Sequence, residues 1–238
     1  MNENSIVESF SASIVNNAVD MGSELAEVGL DSILEDGTLK DIPFISTAIS
    51  VYKIGTTIKE SHYIKKLARF IDAFNKGIDD ADMRERIKSR FLEEKKGKKE
   101  LEYILLIIDR FIEEEKAVML GKLYLSYLNR QINWEEFTLF SEMVDRFLPN
   151  DYLSLQSDYI FKTHRGVGSE PFLRLEGLGL IIEDIRKADI GTKVKGEMIN
   201  LCANASDSTI NELRTYRRTE TGDKLVSVLG TLTHEEIN

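Results

Sequence analysis

The side chains of this 238-residue chain best suited to chemistry are three histidines, one cysteine and a few carboxylate runs, and their spacing assembles no familiar site. His62, His164 and His234 lie far apart in sequence. None has a metal-ligating partner one helical turn away, as a zinc-binding HExxH helix requires. Cys202 sits in the apolar run Met198-Ile199-Asn200-Leu201-Cys202-Ala203, which suits a small buried side chain better than a nucleophile. Neither GxSxG nor GxxxxGK[ST] occurs, and Gly166-Val167-Gly168 has no expected strand before it to present a phosphate cradle. Glu113-Glu114-Glu115 reads as a solvated face, not a pair of general acids. No base is held next to a nucleophile, so no hydrolytic or redox chemistry, no metal and no cofactor are expected.

Two features suit binding instead. Residues Ile42–Ile58 form an apolar run of 17 with a single charge, Lys53. A bilayer-spanning helix needs roughly 20 apolar residues, and a lysine at the bilayer centre costs about 2.5–3.5 kcal/mol, so the run is expected to be buried against protein. Phe44, Ile45, Ile49 and Tyr52 are its candidate oligomer or membrane interface. Lys59, Lys65, Lys66 and Arg69 follow and suit anionic lipid headgroups, which keeps a membrane-surface role open. The second feature is a set of arginines. Arg174 on an expected short helix, with Arg214, Arg217 and Arg218 on an expected strand, are the candidate nucleic-acid contacts. One basic residue on a recognition helix is few for base readout, which argues against nucleic acid as the partner.

The elements that must position these residues are mostly helices. Three prolines in the whole chain leave room for long ones. Val7, Phe10, Ile14, Ala18, Met21, Leu25 and Val28 repeat every three or four residues, so a helix is expected over 4–34, with Ser5 and Glu8 as a capping box. A second begins near Asp41 and keeps one stripe from Phe44 to Phe74. It reaches about 50 Å if unbroken, with Gly55-Thr56-Thr57 the expected kink. Residues 81–96 form a charged helix that Gly97 interrupts. A further helix covers 98–131, its polar centre Glu113-Glu114-Glu115-Lys116 an expected break. Asn133, with Glu136 three residues on, caps the next helix, and Pro149 follows its end.

Beyond Pro149 the pattern changes. Residues 162–170 read as a loop, a short helix starts after Ser169 with Pro171 in its first turn, and Leu178–Ile185 reads as a strand. Arg214–Thr219 reads as a second strand, and Thr219-Glu220-Thr221-Gly222-Asp223 opens a final helix. Residues 187–212 follow no clear period.

Charge is uneven along the chain. Residues 1–60 carry ten acidic and three basic side chains, of a net −10 overall. Such a field repels phosphate backbones. A single cysteine excludes an internal disulfide, and Glu3 and Glu8 stand where a secretory signal carries basic residues. A cytoplasmic location is expected, with a peripheral membrane association left open.

The segment Leu173-Arg174-Leu175-Glu176-Gly177-Leu178-Gly179-Leu180-Ile181, followed by Tyr216-Arg217-Arg218-Thr219-Glu220-Thr221-Gly222-Asp223-Lys224-Leu225, resembles the "LxxLGLI … YxxTxxG" ending of many winged-helix domains. In that pattern a glycine turns the chain out of a helix and threonine caps the next one. A long helical part followed by this ending resembles the Abi-alpha type of bacterial abortive-infection protein. The resemblance implies a role in phage defence and carries no catalytic residues. The expected architecture is mainly α: a long-helix bundle over 1–148, a small α+β winged-helix-like region over 150–230, and a flexible tail over 231–238. The expected function is a non-enzymatic protein of phage–host conflict that forms a homo-oligomer and contacts a further protein partner, with perturbation of a membrane left open. The alternatives are a winged-helix transcription regulator with a helical dimerisation domain, and a plain scaffold.

Overall fold

The computed structural model describes residues 7, 10, 58–78, 81–93, 95–157, 160–164, 170–183 and 213–233. The expected helix over 4–34 lies outside them except for Val7 and Phe10, which are both buried. Residues 42–57, 184–212 and 234–238 also lie outside. The chain divides into two compact units, residues 1–149 with 228–238, and residues 150–227.

The first unit is helical: α1 (Ile58–Lys76), α2 (Ala81–Glu93), α3 (Lys95–Arg110), α4 (Glu115–Leu128) and α5 (Trp134–Arg146). On α1 the residues Ile64, Leu67, Ala68, Phe70, Ile71 and Phe74 recur at three- and four-residue steps and are all buried. α1 lies along α4, α4 along α5, and α3 touches α1, α2 and α5. Gly121 lets α1 and α4 close up, because a Cβ there would stand 2.9 Å from the Phe70 carbonyl oxygen. An aromatic chain threads the core, from Phe10 through Phe70, Phe74 and Tyr124 to Phe137 and Trp134. Burying such rings dominates the energetics of a core this size.

Asn133 caps α5 as expected. Its side chain accepts from the Glu136 backbone N–H, and the Glu136 carboxylate accepts from the Asn133 N–H. Gly97 does not interrupt a helix; it lies inside α3. A Cβ at this position would meet the Arg90 carbonyl oxygen at 2.4 Å, so the glycine serves the close approach of α2 and α3. The expected break in the 98–131 helix exists at residues 111–114, overlapping the first half of the polar centre. α4 ends with Arg130 left-handed at φ 62°, while the Gln131 N–H donates to the Ser126 carbonyl and the Arg130 N–H to the Tyr127 carbonyl. Leu232, at the start of the expected tail, is buried.

The second unit holds α6 (Pro149–Ser157, from its second residue), β1 (Ile160–His164), α7 (Glu170–Gly177), β2 (Ile181–Glu183), β3 (Leu213–Arg218) and most of α8 (Glu220–Leu229). The strands form one antiparallel sheet in the order β1-β3-β2. Tyr216 of β3 pairs with Phe161 on one side and Glu183 on the other. Its buried ring stacks on Phe172 of α7. Two expectations need correcting. Residues 160–164 are a strand where a loop was expected from 162, because this short segment finds a full partner in β3. The strand expected from Leu178 starts only at Ile181, because Leu178–Leu180 finish α7.

That finish is a Schellman motif. The Leu180 N–H donates to the Leu175 carbonyl, the Gly179 N–H to the Glu176 carbonyl, and Gly179 is left-handed at φ 72°. Thr219 then closes the junction from the other side. Its hydroxyl donates to the Gly179 carbonyl at 2.7 Å and accepts the Gly222 N–H at 3.0 Å, capping α8. Gly222 passes so close that a Cβ would fall 2.1 Å from the Leu180 oxygen. The Gly179…Thr219…Gly222 pattern is therefore a structural lock between one helix end and the next helix start.

Candidate functional site

Among the described residues, two clusters of charged side chains in the helical unit bring together groups that could do chemistry. The first surrounds the break between α3 and α4. Lys66 of α1 is only 3% exposed, and its ammonium donates to the carbonyls of Phe111 at 2.7 Å and Asp109 at 3.3 Å. Burial pushes its pKa down, opposed by Asp109 and Glu114. His62, one turn earlier, has Nε2 2.5 Å from the Ile112 carbonyl and Nδ1 3.2 Å from Glu114. Arg69, one turn later, reaches the same Glu114 carboxylate at 3.1 Å. A histidine beside a carboxylate has the outline of a general base. Here, however, the outer nitrogen faces a carbonyl acceptor, so it must carry the proton it would need to be without. The cluster satisfies helix carbonyls.

The same device recurs. Lys116, also buried, donates to the Asp145 carbonyl at the end of α5 and pairs with Glu113. Cations favour helix C-termini because the dipole and the open carbonyls both attract them. Arg110 joins α3 to α5 through Glu142 at 3.0 Å and through Asp145. This pairing with Arg110 holds the Glu142 carboxyl below its usual range.

The second cluster centres on Glu100 of α3, 3% exposed. Oε1 accepts from Arg90 and from the Tyr127 hydroxyl, each at 2.7 Å, and Oε2 accepts from Arg90 at 3.0 Å and Tyr124 at 3.2 Å. Burial, then the bond to Glu100, pushes the Tyr127 phenol up to about 12. Burial also raises Tyr124, and the Glu100 charge raises it further. A carboxylate with both oxygens doubly engaged has no lone pair to spare for a substrate proton, so this network holds α2, α3 and α4 together. Sequence spacing gives no sign of either cluster, because their members stand 10–50 residues apart.

Of the expected nucleic-acid contacts, Arg174 is held by both oxygens of Asp151, at 2.7 and 2.6 Å, and Asp151 is 1% exposed. The hydrogen bond to Asp151 raises the Arg174 pKa. Arg218 lies 2.9 Å from Asp223 and donates to the Leu155 carbonyl. Arg217 is half-buried on β3, and Arg214 pairs with Thr163 in the strand register. Two of the four are thus engaged inside the unit. Phe44, Ile45, Ile49, Tyr52, Cys202, His234 and the 166–168 loop lie outside the described residues. His164 ends β1.

Large apolar side chains are exposed where α3 meets α5. The two helices run side by side, with Tyr103 against Phe137 and Arg110 against Glu142. Leu106 of α3 and Leu139 of α5 are 67% and 48% exposed. Among the described residues no group of three or more metal-ligating side chains is placed to hold an ion, and no helix is long and apolar enough to cross a membrane. Compared with protein-family models, curated proteins and solved structures, the chain matches none.

Proposed function

We propose that this is a non-enzymatic protein of phage–host conflict that works through contacts with other proteins, copies of itself included. The phage-defence setting comes from the Abi-alpha resemblance. The observation that carries the contact role is the exposure of large apolar side chains on the helical unit, Leu106 of α3 at 67% and Leu139 of α5 at 48%, since apolar side chains left in water beside charged ones suit a protein interface. The charged clusters support the same reading, since their side chains are occupied in holding the α3 end and in tying α2, α3 and α4 together. A second reading, a winged-helix module, draws support from the β1-β3-β2 order with α7 ahead of the β2 and β3 pair. Only residues 165–169 separate β1 from α7, too few for the first helix of a helix-turn-helix, and Arg174 is tied to Asp151. A winged helix here suits a protein partner better than DNA.

The test is a plaque assay on bacteria expressing the chain or its Leu106→Asp/Leu139→Asp variant. Both leucines are exposed, so the variant should fold. The expected result is protection by the parent chain, lost with the variant at an unchanged Tm. Equal protection by both, or none by the parent across a broad phage panel, would overturn the reading.

A further inference from the structure

The break between α3 and α4 falls at a polar stretch but at no helix-breaking residue. Residues 110–116, Arg-Phe-Ile-Glu-Glu-Glu-Lys, contain no glycine or proline, the usual origin of a sharp helix interruption. In an unbroken helix the carbonyls of Asp109, Phe111 and Ile112 would accept from the N–H groups four residues on. In this fold the carbonyls of Asp109 and Phe111 take the Lys66 ammonium, and that of Ile112 faces His62. Glu114 is held by His62 and Arg69. The break also leaves Ile112 77% exposed, the most exposed large apolar side chain among the described residues. One face of α1 thus holds the joint open.

We propose that residues 111–114 are the hinge of a domain swap with a second copy of this chain. In the swapped form α3 and α4 join into one helix from Lys95 to Leu128, about 50 Å long at about 1.5 Å per residue. α1, α2 and α3 of each copy then pack on α4 and α5 of the other. Every pairing between these two halves is kept, now across chains, while the contacts at the joint are exchanged for backbone hydrogen bonds. The proposal is independent of the exposed Leu106 and Leu139, which would join copies side by side without opening either.

The experiment uses the full chain with Lys66→Met, which removes the donor while keeping the length of the side chain. Light scattering at tens of micromolar should show a dimer of roughly 54 kDa, twice the 27.1 kDa chain. Losing a charged hydrogen bond at the joint should raise the dimer fraction about tenfold over the parent. His62→Ala, at a more exposed position, should do the same more weakly and serves if Lys66→Met does not fold. Adding Glu114→Pro should restore the monomer. Proline suits the φ of −66° at Glu114 and cannot donate within a continuous helix.

Charge reversal separates a swap from side-by-side association. Arg110 and Glu142 lie on opposite sides of the hinge, so in a swapped dimer each pair is formed between two chains. Arg110→Glu in one chain and Glu142→Arg in another, both carrying the dimer-promoting substitution, should then form heterodimers in preference to either homodimer. Monomers with both Lys66→Met and His62→Ala, dimers that persist with Glu114→Pro, or dimers that pair without preference would each overturn the hinge.

Discussion

Each unit contains a helix that stops short, and the two stop for opposite reasons. α7 is ended by its own residues: Gly179 takes the left-handed turn, and the carbonyls of Leu175 and Glu176 are met from five and three residues away, respectively. α3 is ended by residues of α1, 43 to 50 positions earlier in the chain. A locally closed end survives any rearrangement that leaves its few residues together. A tertiary end lasts only while the distant helix stays in place. The helical unit should therefore depend on buried charged contacts, and the sheet unit on close backbone approach.

The largest expected effect tests the first half of that contrast. Glu100→Ala strands Arg90 and two tyrosine hydroxyls, and removing one partner of a buried pair costs about 3–5 kcal/mol. Urea unfolding should show a loss of that size. A loss under about 1 kcal/mol would mean that the network is as weak as a surface pair.

Gly222→Ala tests the second half. The added methyl meets the Leu180 oxygen, a backbone atom that cannot swing aside, and overpacking of this kind costs about 1–3 kcal/mol. Gly177→Ala is the control, because a Cβ there meets nothing within 4 Å. Equal melting temperatures for the two variants would remove the lock from the account.

The smallest effect is at alkaline pH. The Tyr127 phenol is raised from 10.0 to about 12, so the unfolded chain loses this proton first. Between pH 10 and 12 the folded state binds more protons, and stability that is fully present below pH 10 falls as pH rises. Burial raises Tyr103, Tyr124 and Tyr152 as well and adds to the fall, while the lowered Lys66 opposes it. Tyr127→Phe should make the decline shallower by one titrating group. An unchanged slope would separate Tyr127 from the Glu100 network.

The same contrast decides what the sequence revealed. The Asn133 cap and the Thr219 cap were legible because the partners of each lie a few residues away, whereas Gly179, which ends a helix, falls inside an expected strand. The helical stripe on α1 was legible because periodicity reports burial on a single helix. Gly97 was misread, since a glycine that permits close helix packing looks the same in sequence as one that ends a helix. β1 was missed because its partner, β3, begins 49 positions after the end of β1. Lys66 and Glu100 were invisible as cluster members for the same reason: nothing in a linear pattern says that a lysine will meet a carbonyl 45 residues away. Arg174 was legible as a basic residue on a short helix, but its engagement by Asp151 was not.

Trp134 is the single indole in the chain, held edge-on between the rings of Tyr103 and Tyr127 at 5.5 and 5.3 Å. Ring separations this short place two phenols within efficient excitation transfer of one emitter. The native emission of this protein is therefore a local signal from the meeting of α3, α4 and α5, and the small sheet contributes no fluorophore of its own beyond tyrosine. An optical titration followed through the indole would report events at that junction.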